Sequence, residues 1–415
     1  MPKNTVGVSI FLFLFSMLCI QCLPFIHNKP VKARSCSQDD VRIAIDRVQD
    51  NGTVLLPAGH ATWTSTVEVP DNKRITICGA GPDKTVITSD IAGNTLDLNA
   101  SGSRLTQTGF ILKNDTGLGI AVRGEGWRID HCEFTDNEPY TIEAVWAYNH
   151  VGEGHTKGVV DHCRFNSCRV LVYGCLNLMA NGIWAEPLGL GTNNAVFVED
   201  CNFNFTKFGN VIDSNYGGRY VFRYNTVIDA YIEAHSVQGA NRAARSWEIY
   251  HNTISQQSRS MWVPIFLRGG TGVVWNNTIT GTWTECSITV DNRRSFEEFP
   301  PPIGPADGSS PWDGNEDANG WPARDQIGRS TDEFLWVDSN EDGDYTTGES
   351  IPSQASDPMY QWNNLHDGIP IGVYVHNGCG HHIQENRDYY NNTTKPGYTP
   401  YTYPYPLIFE WDYLR

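Results

Sequence analysis

Charged residues and long apolar stretches are both scarce in this sequence. Only 19% of the 415 residues are charged, and 47 Asp and Glu outnumber 30 Lys and Arg, which gives a formal net charge of −17. An acidic chain repels nucleic acids and anionic membrane surfaces, so we expect neither as a partner. The first apolar run, residues 6–20, is short for a membrane span, and no later segment could span a bilayer.

The beginning of the chain predicts export. Lys3 precedes the apolar run, and the small residue Ala33 offers a cleavage position, so we interpret residues 1–33 as a signal peptide and leader. We expect a secreted protein rather than one lipidated at Cys19 or Cys22, because Gln21 is a poor residue before a lipidated cysteine.

Nine cysteines follow Cys22, an odd number, and we expect most of them to be buried as small apolar residues.

A repeated pattern dominates the centre of the chain. Six segments align on one key residue each, namely Cys132, Cys163, Cys201, Asn225, Asn252 and Asn277. An apolar residue stands three positions before and two positions after every key residue, and successive spacings are 31, 38, 24, 27 and 25. Strand, tight bend and strand repeated at this spacing predict an all-β, single-stranded, right-handed parallel β-helix. Equivalent residues would then stack about 4.8 Å apart, and the asparagines would form a hydrogen-bonded ladder at the bends.

The flanking segments complete the predicted organisation. Ser37–Asp40 resembles a capping box that opens a short amphipathic helix, which would cover the first rung of the solenoid. We predict the capped β-helix over residues 37–291, an irregular excursion over 292–370, and a last rung with an extended tail over 371–415. We expect this single domain to be a monomer.

One short motif resembles a known group of proteins. Residues 127–131, Trp-Arg-Ile-Asp-His, are similar to the tryptophan-x-isoleucine-aspartate-histidine motif of pectate lyases. The rungs over about residues 38–290 resemble the pectate-lyase-like β-helix superfamily. That resemblance implies an extracellular polysaccharide substrate, often one that contains uronates. The arginine-x-proline-x-x-arginine segment that carries the catalytic base of pectate lyases is missing, as are the aspartate motifs of polygalacturonases, so the resemblance assigns no catalytic residue.

An acidic segment in the excursion matches a calcium-binding loop. Gly343 would allow the sharp turn of such a loop, and the oxygen ligands would come from Asp338, Asn340, Asp342, Asp344, Thr346 and Glu349. We predict a structural Ca²⁺ that staples the excursion, although an acidic solvated loop is the alternative. Residues 313–320 are a weaker echo without the closing glutamate.

Aligning the rungs also predicts a row of charges beside the bends. Two positions before the key residues stand Asp130, Asp161 and Glu199, followed by Arg223. Stacked carboxylates repel each other, so the row predicts either a bound cation with raised pKa values or a solvated ladder with staggered side chains. His131 and His162, which follow the first two carboxylates, are interpreted as bend residues.

Basic residues gather in the loops after the fourth and fifth aligned segments. His235, Arg242 and Arg245 stand in one loop, and Arg268 stands in the next. Arginine binds carboxylates in a bidentate manner and histidine is easily poised as a base, so these residues are candidate catalytic groups. Arg223 and Tyr250 on the adjoining strands join them as candidates. The alternative is that the arginines anchor the loops to backbone carbonyls.

The leading functional hypothesis is a secreted polysaccharide lyase that cleaves a uronate-containing, and therefore acidic, glycan by β-elimination. One alternative is a glycoside hydrolase that uses carboxylates among Asp213, Asp229 and Glu233. Another is a carbohydrate-binding or surface-structural β-helix without catalysis. Tryptophans in loop-like or inter-rung segments, of which we expect the exposed ones to stack on sugar rings and others to belong to the core, are Trp146, Trp184, Trp262, Trp283 and Trp312.

Overall fold

The protein is a parallel β-helix, described by a computed structural model over most of its length. The described residues are 29–113, 118–136, 142–150, 153–175, 184, 186–237, 242–295, 305–307, 322–330, 355–376 and 378–412. The predicted signal peptide up to residue 28, with Cys19 and Cys22, lies outside these ranges. So do the predicted calcium loop at 338–349 and its echo at 313–320.

Three long sheets run side by side along the solenoid, and each central rung contributes one strand to each sheet. Sheet 1 consists, in spatial order, of Val31–Lys32, Gly52–Leu55, Ile75–Cys78, Arg104–Thr106, Glu125–Asp130, Lys157–Asp161, Val196–Glu199, Arg219–Arg223, Ser246–Tyr250, Thr271–Trp275, Met359–Trp362 and Tyr389–Tyr390. Sheet 2 consists of Gly59–Trp63, Thr85–Ser89, Gly109–Leu112, Glu133–Asp136, Arg164–Asn166, Asn202–Asn204, Thr226–Ile228, Thr253–Ser255, Thr278–Thr280, Leu365–His366 and Ile369–Pro370. Sheet 3 consists, from the N-terminal end, of Val67–Val69, Asn94–Leu98, Leu118–Val122, Ile142–Ala147, Cys168–Tyr173, Asn210–Asn215, Tyr231–Ala234, Ile265–Leu267, Ile288–Val290 and Val373–Val375. The predicted fold class is therefore confirmed.

The first rung is covered as the sequence predicts. Helix α1 spans Gln38–Arg47, and the Asp40 backbone N–H donates to the Ser37 hydroxyl at 3.4 Å, which caps its N-terminus. Its apolar face, Val41, Ala44 and Ile45, is buried against the solenoid. The strand Val31–Lys32 already pairs with sheet 1, so a cleavage after Ala33 would remove an element of the described fold.

The predicted asparagine ladder is present and extends one rung further than the sequence suggested. Asn225, Asn252, Asn277 and Asn364 are all buried, and the side-chain oxygen of each of the last three accepts from the backbone N–H of the one before. The left-handed conformation at each bend belongs to the residue before the key residue. Positive φ angles occur at His131, His162, Asp200, Tyr224, His251, Asn276 and Asn363. His131 and His162 are thus the bend residues that the sequence indicated.

The last rung begins earlier than predicted. Met359–Trp362 and Leu365–His366 continue sheets 1 and 2, within the range that we assigned to the excursion. The pattern was hidden because Gln361 and His366 occupy the two positions that are apolar in the other copies.

The tail runs along the outside of sheet 1. Residues 398–408, named here the C-terminal strap, lie against the outward side chains of that sheet, and the end of the strap overlaps a short helix, α2, at Leu407–Asp412. In the part of the chain that the structure describes, 3₁₀ turns occur at Arg293–Ser295 and Cys379–His381. Within the described ranges no helix is both long and apolar enough to cross a bilayer.

Candidate functional site

The outward face of sheet 3 holds a cluster of ionisable side chains near the middle of the solenoid. On the strand Asn210–Asn215, Ile212 and Ser214 are inward and Asp213 is outward, following the alternation of a β-strand. Ile212 is in register with Ile232 on the next rung, so Asp213 and Glu233 are neighbours on the outer face. Ligand atoms of Asp213, Glu233 and His235 all lie within 4.8 Å of one another.

His235 and Arg268 occupy equivalent positions just beyond two adjacent strands of sheet 3. The His235 backbone N–H donates to the Ser214 carbonyl, and the Arg268 N–H donates to the Ala234 carbonyl, both at 2.9 Å. The sheet register therefore fixes both backbones and sets the two side chains against each other. The two loops that begin at these residues therefore emerge side by side.

Asp213 orients the His235 ring. Nδ1 of His235 lies 2.8 Å from one carboxylate oxygen of Asp213 and 3.0 Å from the other, so Nδ1–H donates to the carboxylate. Nη2 of Arg268 lies 2.9 Å from Nε2 and 3.0 Å from Nδ1 of the same ring, so the guanidinium contacts the imidazole at both nitrogens. Burial alone would raise the pKa of Asp213, but the neighbouring His235, Arg169 and Arg268 outweigh it and hold that pKa below its usual range. These neighbours thus favour the ionised form of Asp213.

Two arginines hold the remaining carboxylates in place. Arg268 Nη2 donates to Glu233, which also accepts from the Asn210 side-chain amide. One rung towards the N-terminus, Arg169 pairs with Glu143 through Nε at 3.1 Å, and its Nη1 lies 4.0 Å from Asp213. The sequence analysis did not identify Arg169 and Glu143, because they lie in rungs whose key residue is a cysteine and no motif marks them.

The set Asp213, Glu233 and His235 has the donor types of a metal site, but its neighbours fit a cation poorly. Arg268 contacts both Glu233 and His235, and Arg169 approaches Asp213. These guanidinium groups already supply the positive charge that stacked carboxylates need. The cluster is therefore better suited to proton transfer than to metal binding.

Arg242 and Arg245, the other two basic candidates, lie away from this face and are completely buried. Arg242 forms a bidentate pair with Asp325 at 2.6 Å for both bonds, and Arg245 donates to the Trp184 carbonyl at 2.9 Å and to the Ser330 hydroxyl at 3.0 Å. Burial, followed by the charge of Arg219, lowers the pKa of Arg245 to about 9. This geometry matches the alternative reading, in which both arginines anchor loops.

Arg223 and Tyr250 lie on sheet 1 and are covered by the C-terminal strap. Arg223 donates to the Tyr250 hydroxyl at 2.9 Å and to the backbone carbonyls of Tyr401 and Thr402 at 2.8 and 2.9 Å. With both side chains buried and occupied in this way, neither can reach a substrate on sheet 3. Their geometry supports a role in holding the strap.

The predicted row of carboxylates has the expected register, because Asp130, Asp161, Glu199 and Arg223 are consecutive partners in sheet 1. It is not solvated, however, and arginines supply its positive charge. Arg104 pairs with Asp130 at 2.5 and 2.7 Å, Arg128 with Asp161 at 2.8 Å for both bonds, and Arg223 with Glu199 at 2.7 Å. The sequence could not reveal this, because each arginine reaches a carboxylate on a neighbouring rung.

The remaining candidates divide by exposure. Asp229 is buried and caps a turn, accepting from the backbone N–H of Gln257 at 2.7 Å, so it is not part of the cluster. Trp184 and Trp283 are buried, whereas Trp146 and Trp262 are half-buried on the sheet 3 side. Trp312 lies outside the described residues.

A separate cavity of about 470 Å³, lined by Cys286, His366 and Tyr374 among others, contains none of the predicted site residues.

Comparison with known proteins gives distant structural matches only. No protein-family model matches the chain, and no curated protein sequence matches it. A protein described as ORF18 of Geobacillus virus E2 aligns at 14% identity and a TM-score of 0.33, over 66% of this chain and 59% of the viral protein. The catalytic domain of a GH87 α-1,3-glucanase in complex with nigerose aligns at 10% identity and a TM-score of 0.31, over 91% of this chain and 69% of that domain. The fold assignment rests on the sheet topology, since scores this low carry no inference about activity.

Proposed function

We propose that the outer face of sheet 3 is the active site of an enzyme that cleaves glycosidic bonds in a polysaccharide, with Asp213, Glu233 and His235 as its central groups. The observation that carries the proposal is their convergence, since side chains from adjacent rungs bring two buried carboxylates and a half-buried imidazole within 4.8 Å of one another. Enzymes that hydrolyse glycosides use a pair of carboxylates, one ionised and one able to carry a proton.

Hydrolysis suits these residues better than β-elimination. Asp213 supplies the ionised carboxylate, and Glu233 supplies the second carboxylate one rung away. Their spacing is closer to the roughly 5–5.5 Å of retaining enzymes than to the roughly 6.5–9.5 Å of inverting enzymes. In this arrangement Asp213 acts as nucleophile, Glu233 exchanges the proton, and His235 and Arg169 hold Asp213 in position. The second carboxylate must be released from Arg268 when it takes up a proton.

The contact between His235 and Arg268 favours elimination as the second candidate. Nε2 of His235 would take the proton next to the uronate carboxylate, which Arg268 would bind, while the glycosidic C–O bond at the β carbon breaks, a C=C bond forms and the leaving oxygen takes up a proton from water. The weakness of this route is that Arg268 already pairs with Glu233 and Arg169 with Glu143, so both guanidinium groups would have to exchange partners.

The decisive experiment is incubation of the protein with neutral and uronate-containing polysaccharides, with and without Ca²⁺, while two products are followed. New reducing ends without ultraviolet absorbance indicate hydrolysis, and absorbance of unsaturated uronate indicates elimination. Asp213→Asn and Glu233→Gln should each lower turnover by about 10²–10⁴-fold, as expected for loss of an acid–base group. The matched control is Asp90→Asn, an exposed carboxylate outside the cluster, which should leave turnover unchanged.

Each outcome is informative. Binding of a glycan without any turnover would refute the enzymatic proposal and support a carbohydrate-binding β-helix. Equal turnover in Asp213→Asn and in the unmodified protein would show that the cluster is not the active site.

A further inference from the structure

Aromatic side chains flank the central cluster of sheet 3 on its N-terminal side. Trp146, Tyr173 and Tyr216 are half-buried, and Trp146 contacts Tyr173, which contacts Tyr216. The ring centroids of Trp146 and Tyr173 are 5.8 Å apart in an edge-on arrangement, and those of Tyr173 and Tyr216 are 4.5 Å apart. Tyr173 is in register with Asn215, two residues after Asp213 on the next rung, so this group extends to the edge of the cluster.

A second aromatic group lies on the C-terminal side. Trp262 packs edge-on against Phe266 and against His376, with centroids 4.9 Å apart in both cases. The Arg268 guanidinium lies 5.2 Å from the Phe266 centroid, and the same guanidinium contacts Glu233 and His235. The surface is therefore continuous from the cluster to this second group.

One residue of each aromatic group lies in a row with the cluster, parallel to the solenoid axis. Trp146, Leu171 and Asp213 are successive register partners in sheet 3, and Glu233 is the partner of Phe266. Asp213 and Glu233 follow the paired residues Ile212 and Ile232, which joins the two halves of the row. Four rung steps at about 4.8 Å separate Trp146 from Phe266, or about 19 Å. A pyranose unit is about as long as one rung step, so this line matches a sugar chain of about five units with the carboxylate pair near its middle.

The charges on this face favour a neutral chain. Asp97, Glu143, Asp213 and Glu233 all lie on it, and the two central arginines are already paired with Glu143 and Glu233. An acidic glycan would bring further negative charge to this row, whereas a neutral glycan needs only hydroxyl hydrogen bonds and flat apolar surfaces. Sites of this kind commonly combine aromatic walls with a few polar groups.

We infer that the two aromatic groups are binding subsites for a linear neutral polysaccharide, which lies along the solenoid axis and extends past the carboxylate pair in both directions. An enzyme that binds its chain in this way cleaves within the chain rather than at an end. The inference rests on the proposed function only for the position of the cleaved bond, because binding to the aromatic groups is a separate property.

The test measures binding in the Asp213→Asn background, where turnover does not consume the ligand. Neutral oligosaccharides of increasing length from the β-1,4-, β-1,3-, α-1,4- and α-1,3-linked glucan series are titrated by calorimetry, with oligogalacturonides as the acidic comparison. Affinity should rise with length until about five units are bound. Trp146→Ala and Trp262→Ala should each weaken binding of the longest ligand by roughly tenfold, as expected for about 1.4 kcal/mol of lost stacking.

One control variant, one further test variant and unfolding curves separate folding from binding. Tyr390→Ala removes an aromatic residue of sheet 1 and should leave affinity unchanged. Tyr216→Ala, at a bend, tests the first group with less disturbance of packing, and a thermal unfolding curve of each variant shows whether it folds. Tight binding of oligogalacturonides, or affinity that is equal in all aromatic variants and the parent, would overturn the inference. Binding that depends on Trp146 and Trp262 without cleavage by the unmodified protein would support the inference while refuting the proposed function.

Discussion

The asparagine ladder gives a quantitative prediction for the solenoid itself. Asn252 is buried, and its Oδ1 accepts from the Asn225 backbone N–H at 3.0 Å and from the Asn225 side-chain amide at 3.2 Å. Its Nδ2 donates to the Phe222 carbonyl at 2.9 Å and to Asn277 Oδ1 at 3.0 Å. Asn252→Ala removes all four bonds and leaves the buried N–H of Asn225 without this acceptor.

The expected cost is about 2–4 kcal/mol. One stranded buried donor costs about 1–3 kcal/mol, and the other lost bonds add roughly 0.5–1.5 kcal/mol each before relaxation of the neighbours reduces the sum. Because Asn252 and Asn277 share a bond, the double variant Asn252→Ala with Asn277→Ala should lose less than the sum of the single variants.

Urea unfolding followed by tryptophan fluorescence measures these differences. The matched control is Asn202→Ala, an exposed asparagine on sheet 2, for which we expect a change within about 0.5 kcal/mol. A loss in Asn252→Ala no larger than that in Asn202→Ala would show that the ladder does not stabilise the rungs, and the reasoning would fail.

Three further predictions concern other parts of the chain. Deletion of residues 396–415 should lower the free energy of unfolding by about 3–6 kcal/mol, because it exposes the part of sheet 1 that Tyr405 and Ile408 cover. Cleavage at sheet 3 should remain intact, and an unchanged thermal unfolding curve would contradict the prediction. Burial, with the charges of His381, Arg294 and Arg387, lowers the pKa of His382 to about 3, so the unfolded chain takes up a proton that the native one does not between about pH 6.5 and 3. Stability should therefore fall by about 1.4 kcal/mol per pH unit as the pH drops through that window, and the fall should be smaller in His382→Asn, as acid unfolding curves would reveal. If the loop at 338–349 binds calcium, a hundredfold excess of Ca²⁺ over its Kd should stabilise the protein by about 2.7 kcal/mol, and Glu349→Gln should remove most of that shift in a thermal scan.

The fold could be predicted because its information is local and repeated. Each rung carries its own strand, bend and strand, so six weak copies reinforce one another and fix the register of the charge row from Asp130 to Arg223. Asn364 escaped because it is 87 residues beyond Asn277 and the positions around it are polar. The strap over sheet 1 could be anticipated as an extended tail, but its contacts with Arg223 and Glu199 join residues about 180–206 apart in the chain.

The site was predictable only in part. His235 and Arg268 were found because their loops follow equivalent strands, and Asp213 and Glu233 were found only as an alternative. The sequence does not distinguish Arg242 and Arg245 from catalytic arginines. Their partners, Asp325 and Ser330, lie 83 and 85 residues further along the chain. Whether an arginine is available to a substrate depends on such long-range pairing, which a single sequence does not display.

The most direct test of the account is a crystal structure of the Asp213→Asn variant soaked with neutral oligosaccharides. The account predicts a sugar chain along sheet 3, stacked on Trp146 and on Trp262 or Phe266, with a glycosidic oxygen within hydrogen-bonding distance of Glu233. A chain bound instead to another face, or across sheet 3 without approaching Glu233, would contradict it.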